Sequence, residues 1–518
     1  MSLMTTLARA EAVAAGRARP LATVRHRWLS DRPLVFVPLT TAGEVGAPLG
    51  ALVGTDRDRP RLLVVPQPRD RDLRSAFLAE LADEILPYVT GYEDGVEFEP
   101  GKETDPETGK KVAVERELCA DAPQLIVPNA AGIDYVRLLG RATRFRRTAE
   151  ENPDEPYPAP SRVPLLGRWL THFGERARVP GSALLVAMTD LLTRHWATGQ
   201  SGLEDQHLGA LLGWIDPPPG MTGREAATRA QVVRNERGLL VSPPAGPATD
   251  PVFDNKALAP AMARYDAART RGADPSAAVA EITALLESQA RPAWDDVWRG
   301  VDLLRGLPPG GHVEERWKRD RWSFTGHRDR VRAGEPPQPR RDDAVAAAQK
   351  LAGRETAQAR LDAGEALDDP LVMAGRRLAG EALAGEVTAV EMAYSAAKVP
   401  RPRPLVTLAT EDLPHLDEGG RLYRALPDGR VQEAEFTGWV DQRTLTVRLL
   451  NGMGRGKEPD AGTLPAVGDE VRWTLFEHTA RGGPDLPDAE ATPWTHGGPP
   501  SAAPVAAPPD PVTGEDLL

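Results

Sequence analysis

Four short runs rich in Val and Leu, Leu34 to Val37, Leu49 to Val53, Leu62 to Val65 and Leu125 to Val127, most narrow what this chain can fold into. Bounded by Pro and Gly, runs of this length read as buried strands. Between them, Asp72 to Val89 changes to helical spacing, with Leu73, Phe77, Leu81 and Ile85 on one face and Glu80, Asp83 and Glu84 on another. The expectation is an α/β unit over residues 20–148. From it a charged hairpin should protrude, because Glu93 to Glu117 centres on the turn signal Asp105-Pro106-Glu107-Thr108-Gly109-Lys110, flanked by Val96/Phe98 and Val112/Val114.

At 518 residues the chain exceeds what one hydrophobic core usually serves. A proline-punctuated acidic linker, Glu150 to Pro164, leads to an expected helical domain, 164–310. There Ser182 is placed to cap a helix with Leu184, Leu185, Met188, Leu191, Leu192 and His195 as its apolar stripe. Helices near Lys256 to Arg269 and Ser276 to Leu304 follow. Residues 311–398 combine a basic aromatic segment with two long helices running to about Ser395, the second starting at Asp369-Pro370. From Leu405 the period becomes two, and five short strands predict a small β-barrel of the OB or SH3-like kind over 402–480. Residues 481–518, rich in Pro, Gly and Ala, are expected to be disordered. The fold class is thus multidomain α+β.

Basic residues number 63 against 75 acidic, a net charge of −12, so any contact with nucleic acid must be local. Cys119 is the only cysteine, which rules out an intramolecular disulfide and a cysteine-based zinc cage and fits a reducing cytoplasm. The first thirty residues lack the apolar core of a secretory signal, and no stretch approaches the roughly 20 apolar residues of a membrane span. A cytoplasmic protein with no membrane contact is expected.

The strongest functional lead lies between Val313 and Arg341, where seven Arg and Lys stand against two Asp from Arg316 to Arg332 and aromatics interleave with them. Arg316, Trp317, Arg319, Arg321, Trp322, Arg328 and Arg330 are residues that neutralise phosphates and stack on bases. The plainer alternative is an amphipathic helix with Val313, Trp317, Phe324 and Val331 on its buried face, interrupted at Gly326. Arg137, Arg141 and Arg144 form a second basic stripe at helical spacing. Arg455 and Lys457, in a glycine-rich loop of the barrel, offer a third phosphate contact. Only eight of the basic residues are Lys, and a chain so saturated with Arg produces clusters by chance.

The nine histidines show no HExxH-type spacing, no GxSxG elbow occurs, and the loop at Gly452 departs from GxxxxGK, so no metal, cofactor or catalytic residue is expected. The leading expectation is a non-catalytic accessory protein of a nucleic-acid-handling assembly, in DNA repair or antiphage defence, working beside a partner protein. One alternative is a protein-protein scaffold whose arginines meet acidic partners. The other is a metal-dependent nuclease in the N-terminal unit, for which Asp56, Asp58, Glu80 and Glu84 are the available acids.

Overall fold

The computed structural model describes residues 3–105, 108–342, 344–454 and 456–479. In chain order the body contains β1 (Leu34–Leu39), β2 (Gly50–Gly54), β3 (Arg61–Val64), the hairpin strands β4 (Val96–Thr104) and β5 (Lys111–Cys119), then β6 (Leu125–Val127) and β7 (Leu185–Ala187). Five of these form a mixed sheet in the order β3-β2-β1-β6-β7. β1 pairs antiparallel with β2 and parallel with β6, and β6 pairs parallel with β7. Every residue of β1 is buried. A central strand covered on both faces has no solvent side to mark with polar residues, hence its unbroken apolar run.

The helix Ser276–Arg305 lies against β1, β2 and β3, and the helix Ala130–Thr143 against β1, β6 and β7. Ala130–Thr143 also crosses the helix Val163–Arg176 closely, because both carry glycine at the crossing. A Cβ on Gly140 would lie 2.5 Å from the Thr171 nitrogen, and one on Gly167 2.4 Å from that of Arg144. Gln124, fully buried, takes the Ser30 N–H at 2.9 Å and donates to the Trp28 and Ala183 carbonyls, both at 2.9 Å, so one amide side chain ties three segments at the entrance to β6.

One continuous apolar core runs from Ala12 to Phe324. The expected boundary between residues 20–148 and 164–310 is therefore not a boundary of the core, and β7 is the reason. The helix expected from Ser182 is a three-residue strand that completes the sheet, followed by a shorter helix, Met188–His195. An apolar run of that length satisfies either element, and pairing with β6 decides it. Ser182 does not cap a helix; its hydroxyl donates to Asp320 at 2.7 Å.

The C-terminal part is a closed barrel of six strands, β8 (Ala382–Glu391), β9 (Leu405–Ala409), β10 (Arg421–Ala425), β11 (Val431–Asp441), β12 (Thr444–Leu449) and β13 (Glu470–Thr474), in the order β8-β9-β12-β11-β10-β13. Five strands were expected. The sixth, β8, lies where the second long helix was to reach Ser395; that helix ends at Leu378, and Gly380 follows with φ 72°. Alternate residues such as Val406, Leu408, Leu445 and Val447 fill a separate interior beneath Trp473. Asp369 does start the helix Pro370–Leu378, accepting from Leu371 N at 2.9 Å, and its carboxylate also takes the Thr23 and Val24 N–H groups, which fastens the barrel's lead-in helix to the N-terminal segment. No helix among the described residues is long and apolar enough to cross a membrane. The tail, 481–518, lies outside the described residues.

Candidate functional site

The basic aromatic segment is one continuous helix, Val313–Arg332, uninterrupted at Gly326, and it packs inside the body. Trp317 is buried, stacked on Trp28 with ring centroids 5.4 Å apart, and its Nε1 donates to Asp121 at 2.8 Å. Phe324 is fully buried. Arg316 donates to the His26 carbonyl at 3.0 Å and lies 3.8 Å from Asp368. Arg321 donates to the Cys119 carbonyl at 2.8 Å and pairs with Glu97. Arg328 donates to Glu117 at 2.6 Å and to the Glu93 carbonyl at 2.8 Å. Lys318 meets Glu99 at 2.7 Å and Arg319 pairs with Glu315. Trp322 is half-buried, and Arg330 is exposed.

A binding surface built from Arg316, Trp317, Arg321 and Arg328 is therefore corrected to a packed joint. The charged hairpin does not simply protrude; the acids at its base take up the helix's positive charge. Guanidiniums held this way, with their stems along apolar surface, are a packing device.

The other expected residues do not converge. Arg144 is buried, donating to the Gln338 carbonyl at 2.9 Å, whereas Arg137 pairs with Asp134 at 2.9 Å and Arg141 is exposed at the far end of the same helix. Lys457 is exposed on the barrel, and Arg455 lies outside the described residues. Of the acids considered for metal chemistry, Glu80 and Glu84 both pair with Arg61, and Asp56 accepts the Asp58 N–H within a turn. Among the described residues no group of three or more His, Cys, Asp or Glu side chains is arranged to hold a metal ion.

Arginines also gather around a cleft elsewhere. Beside β7 lies a cleft of about 480 Å³ whose charged walls are Arg27, Arg178 and Arg194 against the single acid Asp190, with Gln358 reaching in from the helix Ala344–Asp368. Arg27 lies deep, its side chain 9% exposed, with Nη1 3.3 Å from Glu365. The same carboxylate oxygen takes Arg194 Nη1 at 3.2 Å. Burial, then the neighbouring Arg194 guanidinium, lowers the Arg27 pKa to about 10 against the pull of Glu365. Arg178 and Arg194 are partly exposed, with Arg178 3.8 Å from Glu175.

The cleft also runs beside the strand β7, every residue of which is buried. Leu125 N donates to Leu184 O at 2.9 Å, and Leu125, Ile126 and Val127 sit opposite Leu185, Val186 and Ala187. In a parallel ladder that register turns the backbone groups of residues 184 and 186 toward β6 and those of Leu185 away from it; Leu185 borders the cavity but is only 1% exposed. β7 is the last strand of the sheet. A strand edge, buried in this structure, thus stands beside three arginines. Sequence reasoning missed this site because its parts come from four separate segments and its edge strand was taken as helix. No family model, curated protein or solved structure matches the chain.

Proposed function

We propose that the chain is an accessory binding protein that holds an acidic, extended segment of a partner protein in the cleft beside β7. The observation that carries this reading is the meeting, beside one cavity, of the sheet's last strand, itself buried, with three arginines and one acid. A segment lying along β7 exchanges main-chain hydrogen bonds with Leu185, the mode in which peptides add to sheet edges, once the residues that cover Leu185 give way. Its carboxylates meet Arg178 and Arg194 in the open part of the cleft, with Arg27 behind them. Against a nucleic-acid grip by the helix Val313–Arg332 stands the engagement of Arg316, Trp317, Arg321 and Arg328 within the body.

Fluorescence anisotropy with a labelled Glu-Val-Glu-Val-Glu-Val peptide tests the proposal. Expected are binding that weakens as salt rises, at least a tenfold loss for the Arg178→Glu, Arg194→Gln double variant, and loss of binding when alternate peptide amides are N-methylated. Equal affinity for the Lys-Val analogue, or for wild type and the double variant, would contradict it. Tighter binding of a single-stranded DNA oligonucleotide than of the peptide would favour nucleic acid as the ligand.

A further inference from the structure

Away from the cleft beside β7, arginines meet again at the start of the helix Arg71–Thr90. Arg74 and Ser75 stand three and four residues after Arg71, so the three share one helical face. With Arg146, just beyond the helix Ala130–Thr143, they line a cavity of about 250 Å³ whose far wall is Pro156-Tyr157-Pro158. That wall is held in place. Ala159 N donates to Arg147 O at 2.8 Å, Thr148 and Ala159 form a β-bridge, and proline restricts the backbone on either side of Tyr157.

Most charge in the joint beneath the helix Val313–Arg332 is paired; here it is not. Among the described residues none of Arg71, Arg74 and Arg146 takes part in an ion pair. Arg74 and Arg146 are half-buried, and Arg71 is exposed. Arg71 lies over the Tyr157 ring, 3.7 Å from its centre, a stack that leaves the guanidinium edge open to hydrogen bonding. Burial, then Arg74, then Arg71 lower the Arg146 pKa, with Glu155 alone opposing them. Asp72 is the single acid of the lining, and it is exposed. Asp70 already caps the Asp72 and Leu73 N–H groups, so the charge on offer is that of the side chains. Like charges gathered without a counter-charge raise the energy of the empty site, and an anion that enters lowers it.

We infer that this cavity binds the phosphate group of a small phosphate monoester, gripped by the Arg71, Arg74 and Arg146 guanidiniums and the Ser75 hydroxyl, with the organic part along the exposed Tyr157 ring. Charge selects phosphate over carboxylate. Three guanidiniums against Asp72 leave two positive charges in the lining, which a monoester of about −2 at neutral pH balances. Size places the rest of the ligand outside, since the cavity is smaller than pockets that enclose whole organic ligands. The site is independent of the cleft beside β7.

The test uses the full chain, titrated calorimetrically with phenyl phosphate, inorganic phosphate and phenyl sulfate, the last a monoanion of similar shape. Phenyl phosphate should bind more tightly than phenyl sulfate. Its affinity should also rise from pH 5 to pH 7, as its second proton leaves at about pH 6, while that of the sulfate stays level. Phenyl phosphate should outbind inorganic phosphate; the reverse order would make the free ion the ligand and overturn the assignment to an ester. Affinity should fall about tenfold in Arg146→Gln, and likewise in Arg71→Gln, an exposed position whose loss leaves the fold intact. Arg178→Glu should leave it unchanged, so the two sites fail or stand separately. Phosphate affinity no better than that of the sulfate, no loss in either Gln variant, or an equal loss in Arg178→Glu would overturn the inference.

Discussion

Arg328 donates to Glu117 at 2.6 Å across the joint between the basic helix and the hairpin, with the arginine side chain 3% exposed and the glutamate 43%. The asymmetry of that pair explains why a helix with so much positive charge serves packing. The guanidinium is enclosed and also bonded to the Glu93 carbonyl, while its partner reaches it from the surface.

Unequal costs should follow for the two halves of this pair. Arg328→Ala removes a buried side chain and several charge-assisted hydrogen bonds, for an expected loss of about 2–4 kcal/mol. Glu117→Gln should cost about 1 kcal/mol or less, because the carboxylate is solvated and Arg328 keeps its other partners. Urea unfolding of both variants checks this; equal losses would mean that the joint is not built as described.

Asp369 is fully buried and holds the Thr23, Val24 and Leu371 N–H groups. Asp369→Ala strands these donors and removes a helix cap, at an expected cost of about 3 kcal/mol. Asp369→Asn, which keeps one acceptor oxygen, should recover part of it. Indistinguishable melting curves for the two variants would show that the carboxylate does not fasten these segments.

Acid should weaken the body through its buried histidines. His172 and His327 stack at 4.3 Å, and burial followed by neighbouring positive groups holds His172 well below its ordinary range and brings His327 down to about 3. The unfolded chain protonates near pH 6.5, so this contribution is complete above 6.5 and is lost as pH falls from there toward the folded value. By pH 5 His327 alone should account for about 2 kcal/mol. His312 works with the opposite sign: its hydrogen bond to Asp368 raises its pKa, giving stability present in acid and lost as pH rises through that raised value. Urea midpoints should fall from pH 7 to pH 5, and less steeply in His327→Phe. An identical slope in that variant would exclude the pair as the cause.

The glycine crossing gives a packing measurement. Gly167→Ala places a methyl where the Arg144 backbone already lies, so the helices must separate, at an expected 1–3 kcal/mol or somewhat more. Unchanged stability would mean that the two helices are not in the contact described.

Much of this fold was legible because its strands are strongly apolar. The runs at Leu34, Leu49, Leu62 and Leu125, the helix from Asp72 and the hairpin pattern around Asp105 all mark real elements. β7 was hidden, since Leu185-Val186-Ala187 also fits the helical stripe ending at His195. β8 was hidden by its Ala and Glu content. The charge of the basic helix was visible but its partners were not, because Arg321 meets Glu97 and Arg328 meets Glu117 across more than 200 residues of sequence. Composition gives the number of guanidiniums and of carboxylates; only the fold says which of them meet. The cleft beside β7 depends on the same kind of long-range meeting, bringing Arg27 beside Arg194 and Glu365.

Amide hydrogen exchange at Leu185, with and without the Glu-Val peptide, is the most direct measure of the proposed function. If a partner segment adds to the sheet through β7, exchange at Leu185 should slow on binding in wild type and stay unchanged in the Arg178→Glu, Arg194→Gln variant. Peptide binding that leaves exchange at Leu185 unaltered while protecting the helix Val313–Arg332 would contradict the account.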